Sequence, residues 1–286
     1  MNEAPCIFGE VLFDHFPDGS RVLGGAPFNV AWHLQAFGQA PLFISRVGKD
    51  TEGQQIRTAM QEWGMDVRAL QTDEKLPTGR VAVSIENGEP SYDIVHPCAY
   101  DAISGTDLKK GYSLLYHGSL AVRDEASRQA LIALKEQKPQ IIFVDVNLRP
   151  PWWNRQQILD MLDDAHWVKL NTDELEQLHA GHTDTENMAR DFMEKHSLQG
   201  LILTHGARGA ELLSYDGAEV FVEPEGAAEV VDTVGAGDAF ASVVILGLLN
   251  DWDSSLTLQR AQAFASGIVG NRGATVSDPA FYQAFL

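Results

Sequence analysis

Only two of the 286 residues are cysteine, Cys6 and Cys98, and no Cys-x-x-Cys pair exists. That excludes a disulfide framework and makes a reduced, cytoplasmic setting the expectation. Basic residues are also scarce: 21 Lys and Arg stand against 40 Asp and Glu, a formal net charge of −19. A surface of that sign is not built for DNA, RNA or an anionic membrane, so neither is expected as a partner. A nucleotide ligand stays open, because backbone N–H groups and one or two cations can hold a phosphate locally. The N-terminus, Met1-Asn2-Glu3-Ala4-Pro5, lacks the basic start and apolar run of a signal peptide. The most apolar stretch, Ala239 to Leu249, is too short to span a bilayer and reads as a buried helix. A Walker A loop is missing as well: Gly48-Lys49 is followed by Asp50 and has no upstream glycine at the required spacing.

What is present is a core. Hydrophobic residues make up 44% of the chain, enough for one large α/β domain or two small ones. Strands are expected at Cys6–Phe8, Val11–Phe13, Pro41–Val47, Leu114–Tyr116, Ile141–Val146, Trp167–Leu170 and Leu201–Thr204. Helices are expected over Phe28–Phe37, Thr51–Trp63, Asp124–Gln137, Arg155–Leu162, Thr172–Leu178, Ala239–Leu249 and Leu256–Val269. Continuous apolar strands separated by helices imply an α/β fold with a mostly parallel central sheet, covered on both faces. Val81–Ile85 and Ser91–Val95 flank Asn87-Gly88, a strong hairpin signal that breaks this rhythm and suggests a small β lid.

The most informative segment runs Val230-Val231-Asp232-Thr233-Val234-Gly235-Ala236-Gly237-Asp238-Ala239-Phe240. It reads as a short strand, a glycine-rich turn and an apolar helix. Gly235 and Gly237 permit unusual φ and close approach by a ligand. A helix N-terminus offers unpaired N–H groups and partial positive charge, so the turn can cradle a phosphoryl group. Asp238 sits where it could take a proton from an attacking hydroxyl; equally, it could be an ordinary N-cap. A dinucleotide fingerprint fits poorly, since Phe240 stands where the third glycine or alanine is needed.

Asp232 to Phe240 resembles the C-terminal signature of the ribokinase-like (phosphofructokinase B type) carbohydrate kinases. Gly24-Gly25-Ala26-Pro27-Phe28-Asn29-Val30-Ala31 resembles the fructokinase form of the N-terminal signature. Gly38 and Val47-Gly48-Lys49-Asp50-Thr51-Glu52-Gly53 follow in family order, so the resemblance covers nearly the whole chain. It implies a single domain over 1–286, a three-layer ribokinase-like sandwich with lid segments at about 12–23 and 78–97. It implies ATP as phosphoryl donor, Mg²⁺ as cofactor, and Asp238 as catalytic base, with the N–H groups of Gly235, Ala236 and Gly237 as anion hole. Gly25, Asn29 and Asp14 would contact the sugar, and Tyr92 would line the lid's cover.

Other segments carry further assignments by the same resemblance. Asp145-Val146-Asn147-Leu148-Arg149 is similar to the Asp-x-Asn-x-Arg of fructokinases and 2-keto-3-deoxygluconate kinases, with Arg149 reaching sugar or phosphoryl; a surface salt bridge is its plainer reading. Asn171 and Glu174 match Asn-x-x-Glu, implying a hydrated Mg²⁺–phosphate region, although a capping box would explain them equally. Thr204, Gly206 and Gly209 match a nucleotide-binding Thr-x-Gly-x-x-Gly, with His205 a loop residue, and Gln262 stands near the place of an adenine-facing Asn. Asn271-Arg272-Gly273-Ala274 resembles the segment that completes a K⁺ site with Asp232 and the Val234 carbonyl.

Ala26-Pro27 replaces the Lys-Gly of ribokinases, which favours fructose over ribose. The stretch from Asp14 to Gly24 is short for a fructokinase lid and bears on lid-mediated homodimer formation and on sugar selectivity. The expected reaction is ATP + sugar → ADP + sugar phosphate, with D-fructose the first choice and 2-keto-3-deoxygluconate the runner-up. Two other classes compete: a non-catalytic sugar or nucleotide sensor, which would not need Asp238, and a nicotinamide oxidoreductase, disfavoured by Phe240.

Overall fold

A computed structural model describes residues 4–86, 89–105, 111–179, 185–224 and 231–285. Its first strands are β1 (Cys6–Phe8), β2 (Leu12–His15) and β3 (Arg21–Gly24), followed by helix α1 (Ala26–Ala36). Then come β4 (Leu42–Gly48), α2 (Thr51–Glu62), β5 (Leu70–Asp73), β6 (Gly79–Glu86) and β7 (Glu89–Ile94). The middle of the chain alternates regularly: β8 (Leu114–His117), α3 (Glu125–Lys135), β9 (Ile141–Asp145), α4 (Arg155–Leu162), β10 (Trp167–Asn171), α5 (Thr172–Leu178), α6 (Thr185–Lys195) and β11 (Gly200–Thr204). The last elements are β12 (Ala210–Ser214), β13 (Glu219–Val222), α7 (Ala236–Leu249), α8 (Ser254–Val269) and α9 (Pro279–Gln283).

The main sheet has nine strands in the order β13-β12-β11-β10-β9-β8-β1-β4-β5. Every pairing from β5 across to β11 is parallel, and only β12 and β13 join antiparallel. The apolar strand runs explain this arrangement. Ile142–Val144 and Leu201–Leu203 are buried on both faces, which requires helices above and below the sheet. One layer gathers α1, α7 and α8 around Phe28, Phe240 and Phe264, and the other packs α4, α5 and α6 around Leu162, Leu175 and Phe192. Helix α7 is buried from Ala239 to Gly247, as a helix apolar all round must be.

A second sheet of four strands, ordered β3-β2-β6-β7, stands beside the first. Strand β2 is antiparallel to β3 and parallel to β6, while β6 and β7 are antiparallel. The expected turn at Asn87-Gly88 lies outside the described residues. Register places Asp14 opposite Val22 and Val81, and Val83 opposite Tyr92, so Asp14, Val22 and Tyr92 share one face. That face meets the body: a Cβ on Gly273 would lie 3.4 Å from Val22 Cγ1.

Three expectations need correction. The strand expected over Val11–Phe13 runs instead from Leu12 to His15 and pairs with β3, because hydrogen bonding within the hairpin outweighs the polar composition of its end. No strand precedes the glycine-rich turn among the described residues: Val231 and Asp232 donate their N–H groups to the Val269 carbonyl at the end of α8, and Val230 lies outside the description. Helix α7 begins at Ala236 rather than Ala239, which places Asp238 inside its first turn.

Candidate active site

The site assembles at the carboxyl ends of the parallel strands, where β1, β9, β10 and β11 release the chain toward the N-termini of α1, α5 and α7. Gly9 and Gly25 interlock the first of these junctions. A Cβ on Gly9 would stand 2.3 Å from Pro27 Cγ, and one on Gly25 would stand 2.7 Å from the Glu10 carbonyl. Gly25 has φ 110 and caps α1, so the glycine answers both a backbone conformation and a close backbone approach. This packing sets the start of α1 against the end of β1 and delivers Asn29, which is 3% exposed, into the cleft.

Asn29 Nδ2 donates to Asp238 Oδ2 at 2.7 Å. The bond joins α1 to α7, and it bears on the N-cap reading of Asp238. The N-cap of α7 is Gly235, with φ 81, and no side chain caps the helix. Asp238 therefore serves no amide of its own helix, and its carboxylate is held from another. The N–H groups of Gly235, Gly237 and Asp238 have no partner among the described residues, as expected of a first turn left open for an anion. Gly235 needs its positive φ, whereas Gly237 is ordinary helix, and a Cβ there would meet only Lys169 Nζ, at 3.4 Å, outside its chain neighbours.

Burial pushes the Asp238 carboxyl up to about 6, against the Asn29 hydrogen bond, which lowers it; Asp145 adds to the rise, and Lys169 and Arg149 oppose it. Burial likewise pushes Asp14 up to about 6, with Arg149 opposing and Asp232 adding. Arg149 is exposed, its side chain bonds among the described residues only to the Leu148 carbonyl, and its charge lowers the Asp14, Asp238 and Glu10 carboxyls together. Its charge reaches the carboxylates of the cleft, and it forms no salt bridge among the described residues.

Asn171 and Glu174 form a complete capping box: Asn171 Oδ1 accepts from Glu174 N at 2.9 Å, and Glu174 Oε2 accepts from Asn171 N at 2.9 Å. Glu174 Oε1 also accepts from Leu148 N at 2.8 Å, which ties the Arg149 loop to α5. Thr204 ends β11, and Gly206 follows at φ 60. Gly209 is needed for space, since a Cβ there would meet the Val222 carbonyl oxygen. His205 spans from Thr172 Oγ1, 3.1 Å, to Glu211 Oε1, 3.3 Å, and braces this loop, consistent with its reading as a loop residue. Beside it a groove of about 470 Å³ is lined by His205, Ala207, Arg208, Phe221, Glu223 and Pro224. Gln262 bonds to Ser266 along α8 and is not among those lining residues. Asp232 links two loops, accepting from Val234 N at 3.0 Å and from Gly273 N at 3.1 Å. Tyr92 is 57% exposed on the small sheet.

Three buried ionisable groups near the site were missed in the sequence. Lys169, in the middle of β10, gives both Asp145 carboxylate oxygens a hydrogen bond at 2.9 Å. Burial by itself would lower its ammonium, but the charge and hydrogen bonds of Asp145 outweigh that and raise it above the ordinary lysine value. Glu10, at the end of β1, is 3% exposed, and its Oε2 has no partner among the described residues. His33 is fully buried and bonds to Tyr282 Oη at 3.0 Å and the Ala274 carbonyl at 3.1 Å. The available signal was a lone charged residue inside an apolar strand or helix, which does not disclose what it faces.

Glu10 supports a stability prediction. Burial pushes its carboxyl up to about 7, with Arg149 and Arg123 opposing and Asp238 adding. Between its unfolded value and pH 7 the folded chain binds a proton that the unfolded chain has released, so stability falls as pH rises through that window. Glu10→Gln is expected to gain about 2–3 kcal/mol relative to wild type on going from pH 5 to pH 8. Urea unfolding at both pH values checks this; a constant difference between the two proteins would remove the assignment.

The pfkB family carbohydrate kinase model matches residues 8–280. Aminoimidazole riboside kinase of Salmonella typhimurium is 31% identical, with 96% of this chain and 91% of that protein covered. A fructokinase of Escherichia coli is 30% identical over 87% of this chain and 85% of its own length. Among solved structures, fructokinase of Xylella fastidiosa with bound ATP superposes with a TM-score of 0.85 at 21% identity, covering 99% of both chains. Fructokinase of Vibrio cholerae with fructose, ADP and potassium gives 0.83 at 23% identity, covering 99% of this chain and 98% of that one. The fold is therefore ribokinase-like, and no helix among the described residues is long and apolar enough to cross a membrane. With a family match spanning nearly all of the chain and an acidic side chain held over an open helix N-terminus, this protein belongs to the pfkB family of carbohydrate kinases and is an ATP-dependent sugar kinase.

Proposed function

We propose that the chain phosphorylates a primary hydroxyl of D-fructose, with Asp238 as the base. The observation that carries this reading is the Asn29–Asp238 hydrogen bond. Its donor is the amide Nδ2 of Asn29, whose Oδ1 is buried and unpartnered among the described residues. One side chain thus orients the base and offers an acceptor to a sugar hydroxyl. In the transfer step the acceptor oxygen forms a bond to the γ-phosphorus as its proton passes to Asp238. The bond from that phosphorus to the bridging oxygen breaks, and ADP leaves. The open amides of Gly235 and Gly237, with Ala236 between them, receive the phosphoryl oxygens. Asp14 and Gly25 hold the sugar, with Arg149 over the carboxylates and Tyr92 on the lid face that carries Asp14. Thr204, Gly206 and the adjoining groove receive the nucleotide, with Gly209 shaping the turn and Gln262 farther along α8.

Mg²⁺ bound to the phosphates would neutralise their charge; Asn171 and Glu174 would hold it through water, since both Glu174 oxygens already accept backbone N–H groups. Asp232, Val234 and Gly273 form a closed loop of the kind that suits K⁺. Rates in carefully K⁺-free sodium buffer are expected to be lower than in potassium buffer, and equal rates would remove the cation role. A second reading, a riboside acceptor, is favoured by the 31% identity to aminoimidazole riboside kinase. An ADP-release assay over fructose, tagatose, ribose, 2-keto-3-deoxygluconate and aminoimidazole riboside separates these. Fructose is expected to give the highest kcat/KM, and a higher value for any other acceptor replaces it. Because the base must be ionised, kcat/KM is expected to fall below about pH 6, in line with the Asp238 carboxyl. An acid limb near pH 4 would contradict that.

A further inference from the structure

We propose that Lys169 is a positioning residue for phosphoryl transfer: a fixed cation, clamped by Asp145 behind the first turn of α7, that faces the anion hole through Gly237. The inference rests on phosphoryl transfer occurring at this turn, not on the identity of the sugar.

The geometry carries it. A Cβ placed on Gly237 would lie 3.4 Å from Lys169 Nζ. Apart from the neighbouring Ala236 and Asp238, no other side-chain atom, and no Asp145 oxygen, lies within 4 Å of that point among the described residues. The lysine–aspartate pair is a dipole, and its positive end is the one turned to the glycine. Gly237 is helical with no positive φ, so the backbone does not demand glycine there. Its lack of a side chain leaves the space between the ammonium and the phosphoryl position open.

The surroundings keep the cation in place. Lys169 is 7% exposed and Asp145 is 2% exposed. Tyr116 Oη donates a third hydrogen bond to Asp145 at 3.3 Å. A pair buried this deeply is a poor stabilising device, since hydrophobic residues of similar volume often do as well or better. Its value lies in a charge that needs no reorganisation when negative charge builds up on the transferring group. Asp232, Asp238, Glu174, Glu10 and Arg149 also stand around the turn; Lys169 is buried, whereas Arg149 is exposed.

The test is Lys169→Met combined with Asp145→Asn, which removes both charges and leaves no buried ion unpaired. Relative to wild type, kcat is expected to fall about 10²-fold, as for loss of an oxyanion-hole donor. Affinity for aluminium fluoride on the enzyme·MgADP complex should fall in parallel, with Kd values for ADP and sugar within about threefold. A folded paired variant with kcat and fluoride-complex affinity near wild type overturns the proposal. So does a loss carried by both substrate KM values with no change in fluoride-complex affinity. Should the paired variant not fold, Lys169→Arg decides: it keeps a cation on Asp145 under the turn, so fluoride-complex affinity should stay within about tenfold of wild type, and a fall of about 10²-fold overturns the proposal. The fluoride titration is run on enzyme·MgADP with no sugar present. A wild type that accepts no sugar on the panel would therefore sink the proposed function while leaving this measurement readable.

Discussion

Asp238→Asn is expected to lose about 10²–10⁴-fold in kcat while binding ATP and sugar within a few-fold of wild type. The substitution keeps the shape of the side chain and a carbonyl oxygen that can still accept from Asn29 Nδ2, now 2.7 Å from the carboxylate. What it removes is the acceptor for the hydroxyl proton. Mispositioning of the hydroxyl would add to the loss. The fold should survive, because Asp238 caps no amide of α7 and its replacement orphans none. Stability at pH 8 should hold or rise, since the buried carboxyl sits above its usual range and costs stability when ionised. Stopped-flow turnover, calorimetric binding and urea unfolding together check this. Near-normal turnover with normal affinity would leave Asp238 without a catalytic role and refute the mechanism at its centre.

Gly235→Val should fail differently. Gly235 has φ 81, and a Cβ there would stand 2.3 Å from Ala274 Cβ and 2.5 Å from Ala274 Cα. The left-handed conformation alone costs a side chain about 1–2 kcal/mol, and more for a β-branched one. The clash is with backbone, so no rotamer relieves it. Ala274 cannot simply retreat, because its carbonyl is bonded to buried His33 and the neighbouring Gly273 N–H to Asp232. The anion-hole turn and the 271–274 loop must therefore move together. The expected result is a loss of at least about 10²-fold in kcat, as for loss of an oxyanion-hole donor. A clear drop in unfolding midpoint and a weaker response to K⁺ should accompany it. Unlike Asp238→Asn, it should be less stable at every pH. A Gly235→Val enzyme with wild-type stability would mean that the turn does not hold this conformation.

The motif residues were legible because a phosphate-binding helix start needs glycines and an acidic partner at fixed spacing, and those can be read along the chain. The strands from Leu114 to Thr204 were legible for a related reason, being apolar on both faces and separated by helices of regular period. Strands β12 and β13 were not, since an edge pair with alternating exposure carries little signal, and Phe221 on the outer strand is 53% exposed. Resemblance put the 271–274 segment beside Asp232, and Gly273 N bonds to it, but the strand expected before Asp232 gave way to bonds with the end of α8.

Sequence by itself determined the strand–helix alternation from Leu114 to Thr204, the glycine-rich turn before an apolar helix, and the acidic residue beside it. It left Asp238 suspended between helix cap and base, and Arg149 between salt bridge and cleft. Both questions turn on contacts made across the fold. Asn29 lies 209 residues from Asp238 and becomes its neighbour only when α1 and α7 pack on the same face of the sheet. Lys169 and Asp145 are 24 residues apart and meet because β9 and β10 are parallel neighbours in register. The tertiary structure decided these surroundings for a physical reason: a carboxylate's hydrogen-bond partner and degree of burial set its charge, and neither is a property of the local chain.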